Sequence, residues 1–326
     1  MNRILSLLMA TLILTLSVIS LSSCFQSDDT QIKIGYMAGP TGMGMAKLIH
    51  DNGGAENAGG QYFFKKFTDT SLATAALTNG DVDMVCLPTN DAAKYYNTVD
   101  DGTVVLAINC YSSLYVAVKS GVDYTSFSDL EGKTIYTCKN GTPKLVLEYL
   151  LAETGVNATV SYEFEGKTIT APSDIPSIIG KVDFALVPEP VLTQALISKN
   201  ADYETHNLGS VWSENLTSPL VMGCIVANKD FVDAHKGLTN KFLEEYKASI
   251  EFVDNAENIN EAAAYVVETG VMGAENPAKR ALNNLRGAIA YLDGADMKSA
   301  LEAFYNAIGT APIGGKLPES DFYYEK

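Results

Sequence analysis

The sequence predicts an α/β protein of two lobes, each a largely parallel sheet flanked by helices. Two observations carry this. Short apolar β-like runs alternate with helix-like segments from Ile32 onward, and the same series of parts begins again about one hundred residues later. With 326 residues, 47% apolar and 19% charged, the chain has material for two cores of ordinary size.

In the first series, Ile32 to Tyr36 reads as a strand and Gly42 to Asp51 as a helix. Tyr62 to Phe67 is a second strand, and Ser71 to Thr78 a short helix stopped by Asn79-Gly80. Val82 to Leu87 is a third strand, and Asp91 to Tyr96 a brief helix capped by Thr89 or Asn90. Val104 to Val118 is extended, with an interruption around Asn109 to Ser113. The second series gives a strand at Thr134 to Thr137, a helix at Pro143 to Glu153 and a strand at Thr159 to Phe164. It continues with a short helix at Ser173 to Ile179, a strand at Val182 to Val187 and a helix at Pro190 to Ile197. Leu220 to Ala227 is a strand, and helices follow. Leu238, Phe242, Tyr246 and Ile250 form an apolar stripe; further helices are expected over Ile259 to Glu268, Ala278 to Tyr291 and Asp296 to Ala307. The tail from Pro312 to Lys326 reads as an extended strap.

The two series match in detail. Gly80-Asp81-Val82-Asp83 through Pro88 precedes Gly180-Lys181-Val182-Asp183 through Pro188 by one hundred residues. Ile34 with Thr41 corresponds to Ile135 with Thr142 at an offset of 101. One register fits both, which points to a repeated lobe topology.

Ahead of the body, Arg3 precedes an apolar run from Ile4 to Ile19, followed by small residues, the pattern of an export signal over 1–23. Leu21-Ser22-Ser23-Cys24 resembles the bacterial lipobox, which implies a lipid on Cys24 and a tether over 24–31. The competing reading of the same run is an uncleaved membrane anchor. The formal charge of -16 argues against nucleic acid as a partner. Cys86, Cys110, Cys138 and Cys224 each sit in an apolar run and read as buried thiols, with disulfides left open. They are isolated and the three His are dispersed, so no metal site is indicated.

Ligands of open parallel sheets gather beyond the carboxyl ends of the strands. The loops there are Ala38 to Met43, Thr68 to Ser71, Pro88 to Asn90, Lys139 to Thr142 and Pro188-Glu189, rich in Gly, Thr and Asn. Glycines let backbone approach a ligand, and unpaired N–H groups of a first helical turn hold polar groups. Thr41 and Thr142 are expected to open helices that face each other across a cleft, with Gly42 and Gly141 leaving the approach path open. Tyr36, Tyr95, Tyr96, Tyr111 and Trp212 are aromatic residues available for stacking, or for core packing. Neither a nucleotide-binding glycine motif nor a serine nucleophile elbow is present.

With the lipobox, the strand Ile32-Lys33-Ile34-Gly35-Tyr36, the repeated Gly-x-Val-Asp-x-x-x-x-Pro and the helical ending together, the chain resembles a solute-binding protein of an ABC importer. It is closest in kind to the branch of nitrate, alkanesulfonate and thiamine-pyrimidine-precursor binders. The resemblance runs from Ile32 to about Gly309 and implies a two-lobe periplasmic-binding-protein-like fold of type II with a two-segment hinge, near Tyr115 to Lys119 and Cys224 to Asn228. Lobe 1 would then comprise 32–117 and 227–326, and lobe 2 118–226. It further implies a small-molecule solute, a membrane permease as partner, an extracytoplasmic location, no cofactor and no catalysis. Ligand contacts carried over by position are Thr41, Gly42, Met43, Thr70, Thr89, Asn90, Asn140, Gly141, Thr142 and Glu189, with Tyr36, Tyr111 and Trp212 as aromatic candidates. None of these loops holds an Arg, which favours a neutral or weakly charged heterocycle, such as a thiamine pyrimidine, over a sulfonate or nitrate-like anion. A related eukaryotic family makes the thiamine pyrimidine with a cysteine-rich iron-binding motif that this sequence lacks. The rival class is a lipid-anchored sensor or hydrolase on the same scaffold.

Overall fold

The computed structural model describes residues 30–216 and 218–326; the expected export segment, Cys24 and most of the tether fall outside the described residues. Alternating burial makes the first sheet. In β3 (Met84–Pro88), Met84 and Cys86 face one core while Val85 and Leu87 face another, the two-residue period of a strand covered on both sides. Around it run β1 (Ile32–Met37), β2 (Tyr62–Phe67), β4 (Thr103–Tyr111) and β12 (Val221–Asn228), in the order β2-β1-β3-β12-β4. β1 pairs in parallel with β2 and β3, and β12 lies antiparallel between β3 and β4.

The second sheet is wired alike. β5 (Leu114–Lys119), β6 (Thr134–Tyr136), β7 (Thr159–Ser161), β10 (Phe184–Pro188) and β11 (Tyr203–Asn207) stand in the order β11-β5-β10-β6-β7. β6 is parallel to β7 and β10, and β5 is antiparallel to β10 and β11. In each sheet four strands therefore point one way and the strand next to one edge, β12 in the first and β5 in the second, points the other. A small hairpin, β8 (Glu163–Phe164) with β9 (Lys167–Thr168), hangs beside the second sheet in sequence.

The sequence repeat maps onto this plan residue by residue. Ile34 pairs with Met84 in the first sheet and Ile135 with Phe184 in the second. The Asp83 carbonyl accepts from Asn228 N at 3.0 Å and the Asp183 carbonyl from Lys119 N at 2.8 Å, so each repeated Asp anchors the reversed strand. That strand is supplied in each case by chain arriving from the other sheet. The chain changes sheets at Ser112-Ser113 and again between Asn215 and Val221, a few residues ahead of the hinge positions expected from sequence.

Helices close the faces. α1 (Pro40–Gly44) and α2 (Ala46–Asp51) follow β1, and α3 (Thr70–Thr78) and α4 (Thr89–Thr98) follow β2 and β3. α5 (Thr142–Thr154) follows β6, α6 (Val191–Lys199) follows β10, and α7 (Leu208–Asn215) follows β11. β11 and α7 had no sequence signal of their own. After β12 come α8 (Lys229–Ala234), α9 (Lys236–Asp254), α10 (Ile259–Glu268), α11 (Glu275–Asn284) and α12 (Gly294–Ile308). The stripe Leu238, Phe242, Tyr246 and Ile250 is buried against the outer face of the first sheet. α11 stops at Asn284 rather than running to Tyr291, because the chain turns through Gly287 at φ +75°. Segment 173–179 is a 3₁₀ turn (Pro172–Ser177) rather than an α-helix, since Pro176 inside it has no N–H to donate.

One apolar cluster spans both sheets: Val85, Leu87 and Val105 of the first join Val116, Ile135 and Leu186 of the second through α5 and α12. Trp212 of α7 sits in it, fully buried, with its ring 5.7 Å from Phe304 of α12 and 5.0 Å from Tyr149 of α5. Cys86, Cys110, Cys138 and Cys224 are free and buried.

Candidate functional site

Both sheets end on one cavity of about 530 Å³. Each of the five strand-end loops contributes to its wall: Ala38 to Thr41, Thr68 to Thr70, Pro88, Asn140 to Thr142, and Pro188 to Pro190. Asp91, the segment 171–173, Gln194, Val271, and Met222 with Gly223 on β12 are also part of the wall. Gly223 forms floor that no other residue would suit, because a Cβ there would stand 2.8 Å from both Asn109 Oδ1 and Thr41 Cγ2.

Of the residues singled out from sequence, Thr41, Thr70, Asn140, Gly141, Thr142 and Glu189 line this cavity. Thr41 is 7% exposed and its hydroxyl has no partner among the described residues. Thr142 opens α5 after Gly141, whose φ of +86° only glycine adopts readily. The Thr142 hydroxyl donates to Asn90 Oδ1 at 2.7 Å, joining the second sheet's lobe to the first.

The others serve elsewhere. Asn90 is buried behind the wall, donating through Nδ2 to Asp91 while accepting from Thr142. Thr89 is fully buried, its hydroxyl on the Val221 carbonyl at 3.3 Å. Gly42 is a packing glycine, since a Cβ there would run into the Met37 carbonyl oxygen and reach within 2.8 Å of the Tyr36 ring. Met43 is in the core between the first sheet and α9. Tyr36 is buried too, its hydroxyl donating to the Thr269 carbonyl at 2.9 Å; burial, with the Glu56 charge adding, pushes its pKa up to about 12. Tyr111 is half-buried beside the apolar cluster that holds Trp212, and neither ring lines the cavity. Burial likewise raises the Tyr111 pKa.

Three carboxylates line the cavity, and among the described residues no Lys or Arg does. Asp69 is the N-cap of α3, accepting from Ser71 N and Leu72 N as well as the Ser71 hydroxyl, which holds its pKa low. Glu189 is engaged by Thr193 N at 3.2 Å, the Thr193 hydroxyl at 2.9 Å and Asn284 Nδ2 at 2.6 Å. Asn284 belongs to α11, so this contact also joins the two lobes, and the Tyr115 hydroxyl adds a bond to the Asn284 carbonyl. Burial raises the Glu189 pKa, opposed by Asn284, Thr193 and the Arg280 charge. Burial raises that of Asp91 as well, opposed by Lys94 and the Thr70 hydroxyl and reinforced by Asp69. Asp91 was not marked from sequence. Its position in the first turn of α4 made it indistinguishable from an ordinary helix-start acid.

A second cavity of about 500 Å³ lies on the far side of the first lobe among Lys47, Asp51, Tyr62, Lys241 and Glu245, away from every strand-end loop. Among the described residues no cluster of three or more His, Cys, Asp or Glu has metal-binding geometry, and no helix is long and apolar enough to cross a membrane.

Comparison with solved structures finds the same architecture. A protein described as an ABC transporter from Parabacteroides distasonis superposes with a TM-score of 0.72 at 21% identity, covering 91% of this chain and 100% of that one. The periplasmic aliphatic sulphonate binding protein SsuA of Escherichia coli gives 0.66 at 14%, covering 90% and 92%. The ligand-binding component of an ABC-type import system from Staphylococcus aureus, solved with zinc bound, gives 0.66 at 15%, covering 91% and 97%. At these identities the likeness shows the fold, a two-lobe periplasmic-binding-protein-like one. The sequence model of one family, described as NMT1/THI5 like, matches residues 63–257. No curated protein matches the sequence significantly.

Proposed function

The chain belongs to the NMT1/THI5-like family, and on that premise we propose that it is the extracytoplasmic solute-binding component of an ABC importer, a binder rather than an enzyme. The observation that carries this is the cavity itself. Loops from two similarly wired sheets meet around about 530 Å³, the size of a small-molecule site, and besides the two chain crossings the lobes share polar bridges beside it and an apolar seam. Such an arrangement suits capture by lobe closure and release by opening at a permease.

The solute is a small heterocycle, with a thiamine pyrimidine precursor as the best candidate, rather than a sulfonate or nitrate-like anion. A cavity that offers three carboxylates and no basic side chain among the described residues repels a strong anion. Export and lipid attachment at Cys24 belong to the same reading, motivated by the sequence Leu21-Ser22-Ser23-Cys24.

Native mass spectrometry of protein purified without refolding tests the proposal, together with small-angle scattering before and after the retained molecule is removed. A bound small molecule whose loss expands the protein supports it. Steady conversion of that molecule into a product would instead establish the rival hydrolase.

A further inference from the structure

Resting on the solute-binding reading, we infer that Asp91 is the charge-selecting group of the cavity and that the solute carries a protonated nitrogen seated against it. The argument is one of elimination among the three carboxylates. Asp69 is spent on the first turn of α3, and Glu189 takes three donors from Thr193 and Asn284. Asp91 instead accepts from Asn90 Nδ2 at 3.0 Å and has the Thr70 hydroxyl nearby, fewer donors than a partly buried carboxylate can accept. A cationic donor arriving in the cavity supplies what is missing.

Asn90 fixes the group in place. A carboxylate accepts only, so the amide must turn its nitrogen to Asp91, which leaves its oxygen for the Thr142 hydroxyl of the other lobe. The side chain that recognises charge is therefore one hydrogen bond removed from the contact that joins the lobes. On the same wall stands Thr41, a side chain 7% exposed whose buried hydroxyl has no partner within the described protein. With Asp69 also near and no basic residue lining the space among the described residues, the field inside the cavity favours a cation. Lys94, one turn along α4 from Asp91, is exposed and does not line it.

The test uses yeast extract separated by ion exchange into cationic, neutral and anionic small-molecule pools, with EDTA present to remove metal ions. Each pool is added to the mature protein and the melting temperature recorded. The expected result is stabilisation by the cationic pool, and a response to that pool about ten- to hundredfold weaker in concentration for Asp91→Asn, the scale of a hydrogen bond to a charged group. Stabilisation by the neutral or anionic pool alone overturns the inference and leaves the binding reading standing. Stabilisation by no pool counts against the binding reading itself. A cationic response that is unchanged in Asp91→Asn overturns the role of Asp91. Should that variant fail to fold, the comparison of pools on the wild-type protein still decides the charge of the solute.

Discussion

The hydroxyl of Thr142 donates to the side-chain carbonyl of Asn90 across 2.7 Å, and both residues are buried although they belong to different lobes. Thr142→Val keeps the shape and deletes the donor. One neutral hydrogen bond contributes about 0.5 to 1.5 kcal/mol, so solute affinity should weaken roughly two- to twelvefold. Calorimetry with the retained solute measures this, and wild-type affinity in the variant would mean that the bridge does not favour the closed form.

Glu189 carries a pH signature. Burial raises its folded-state pKa, so the charged form is the disfavoured one in the native protein. Its contribution to stability is then full below the ordinary glutamate range and is lost as pH rises through the raised folded value. The difference in melting temperature between wild type and Glu189→Gln should therefore be more favourable to the wild type at pH 4 than at pH 7. A difference that moves the other way would show that Asn284 and Thr193 outweigh the desolvation.

Gly42 and Gly141 resist substitution for different reasons. At Gly42 a Cβ meets the Met37 carbonyl and the Tyr36 ring, so Gly42→Val should destabilise the whole fold by roughly 1–3 kcal/mol or more. At Gly141 a Cβ would meet only Pro143 Cδ at 3.8 Å, an ordinary contact, and the obstacle is a φ of +86° with ψ near extended, a conformation costing other residues about 1–3 kcal/mol. Gly141→Ala should act mainly on the loop, lowering affinity more than melting temperature. Denaturation curves and binding measured on the same two proteins distinguish these effects.

Trp212 packs on Phe304 and Tyr149 and does not line the cavity, so Trp212→Phe should change solute affinity less than about twofold while lowering stability. As the sole Trp of the sequence, fully buried, it should also give a blue-shifted emission spectrum. A large loss of affinity in the variant would return the ring to the binding site.

Replacing Cys24 with Ala should release the protein from membranes, as followed by fractionation and blotting. A variant that stays in the membrane fraction with Met1 intact would identify an uncleaved anchor instead.

The repeat was legible because it is written in residues that backbone geometry demands. Gly80 and Gly180 both take positive φ, and each begins the approach to a strand whose two faces are buried. The five loops were legible because strand ends collect at one edge of such a sheet. What the sequence concealed depends on distant partners. Glu189 lines the cavity, but nothing near it in sequence shows that Asn284, far along the chain, bonds its carboxylate. Tyr36 reads as a stacking surface until its hydroxyl is traced to Thr269. β11 is weakly apolar, and its register opposite β5 is set by pairing that no local pattern announces.

The exchange of reversed strands orders events during synthesis. All five strands of the second sheet fall between Leu114 and Asn207, an unbroken stretch. The first sheet starts earlier yet cannot finish, because β4 has no neighbour until β12 slides between it and β3. The lobe translated second is thus expected to close first, while the lobe ahead of it waits with unpaired backbone edges on β3 and β4. A stall after residue 207 should leave one protease-resistant domain and one degraded, whereas release of the full chain protects both.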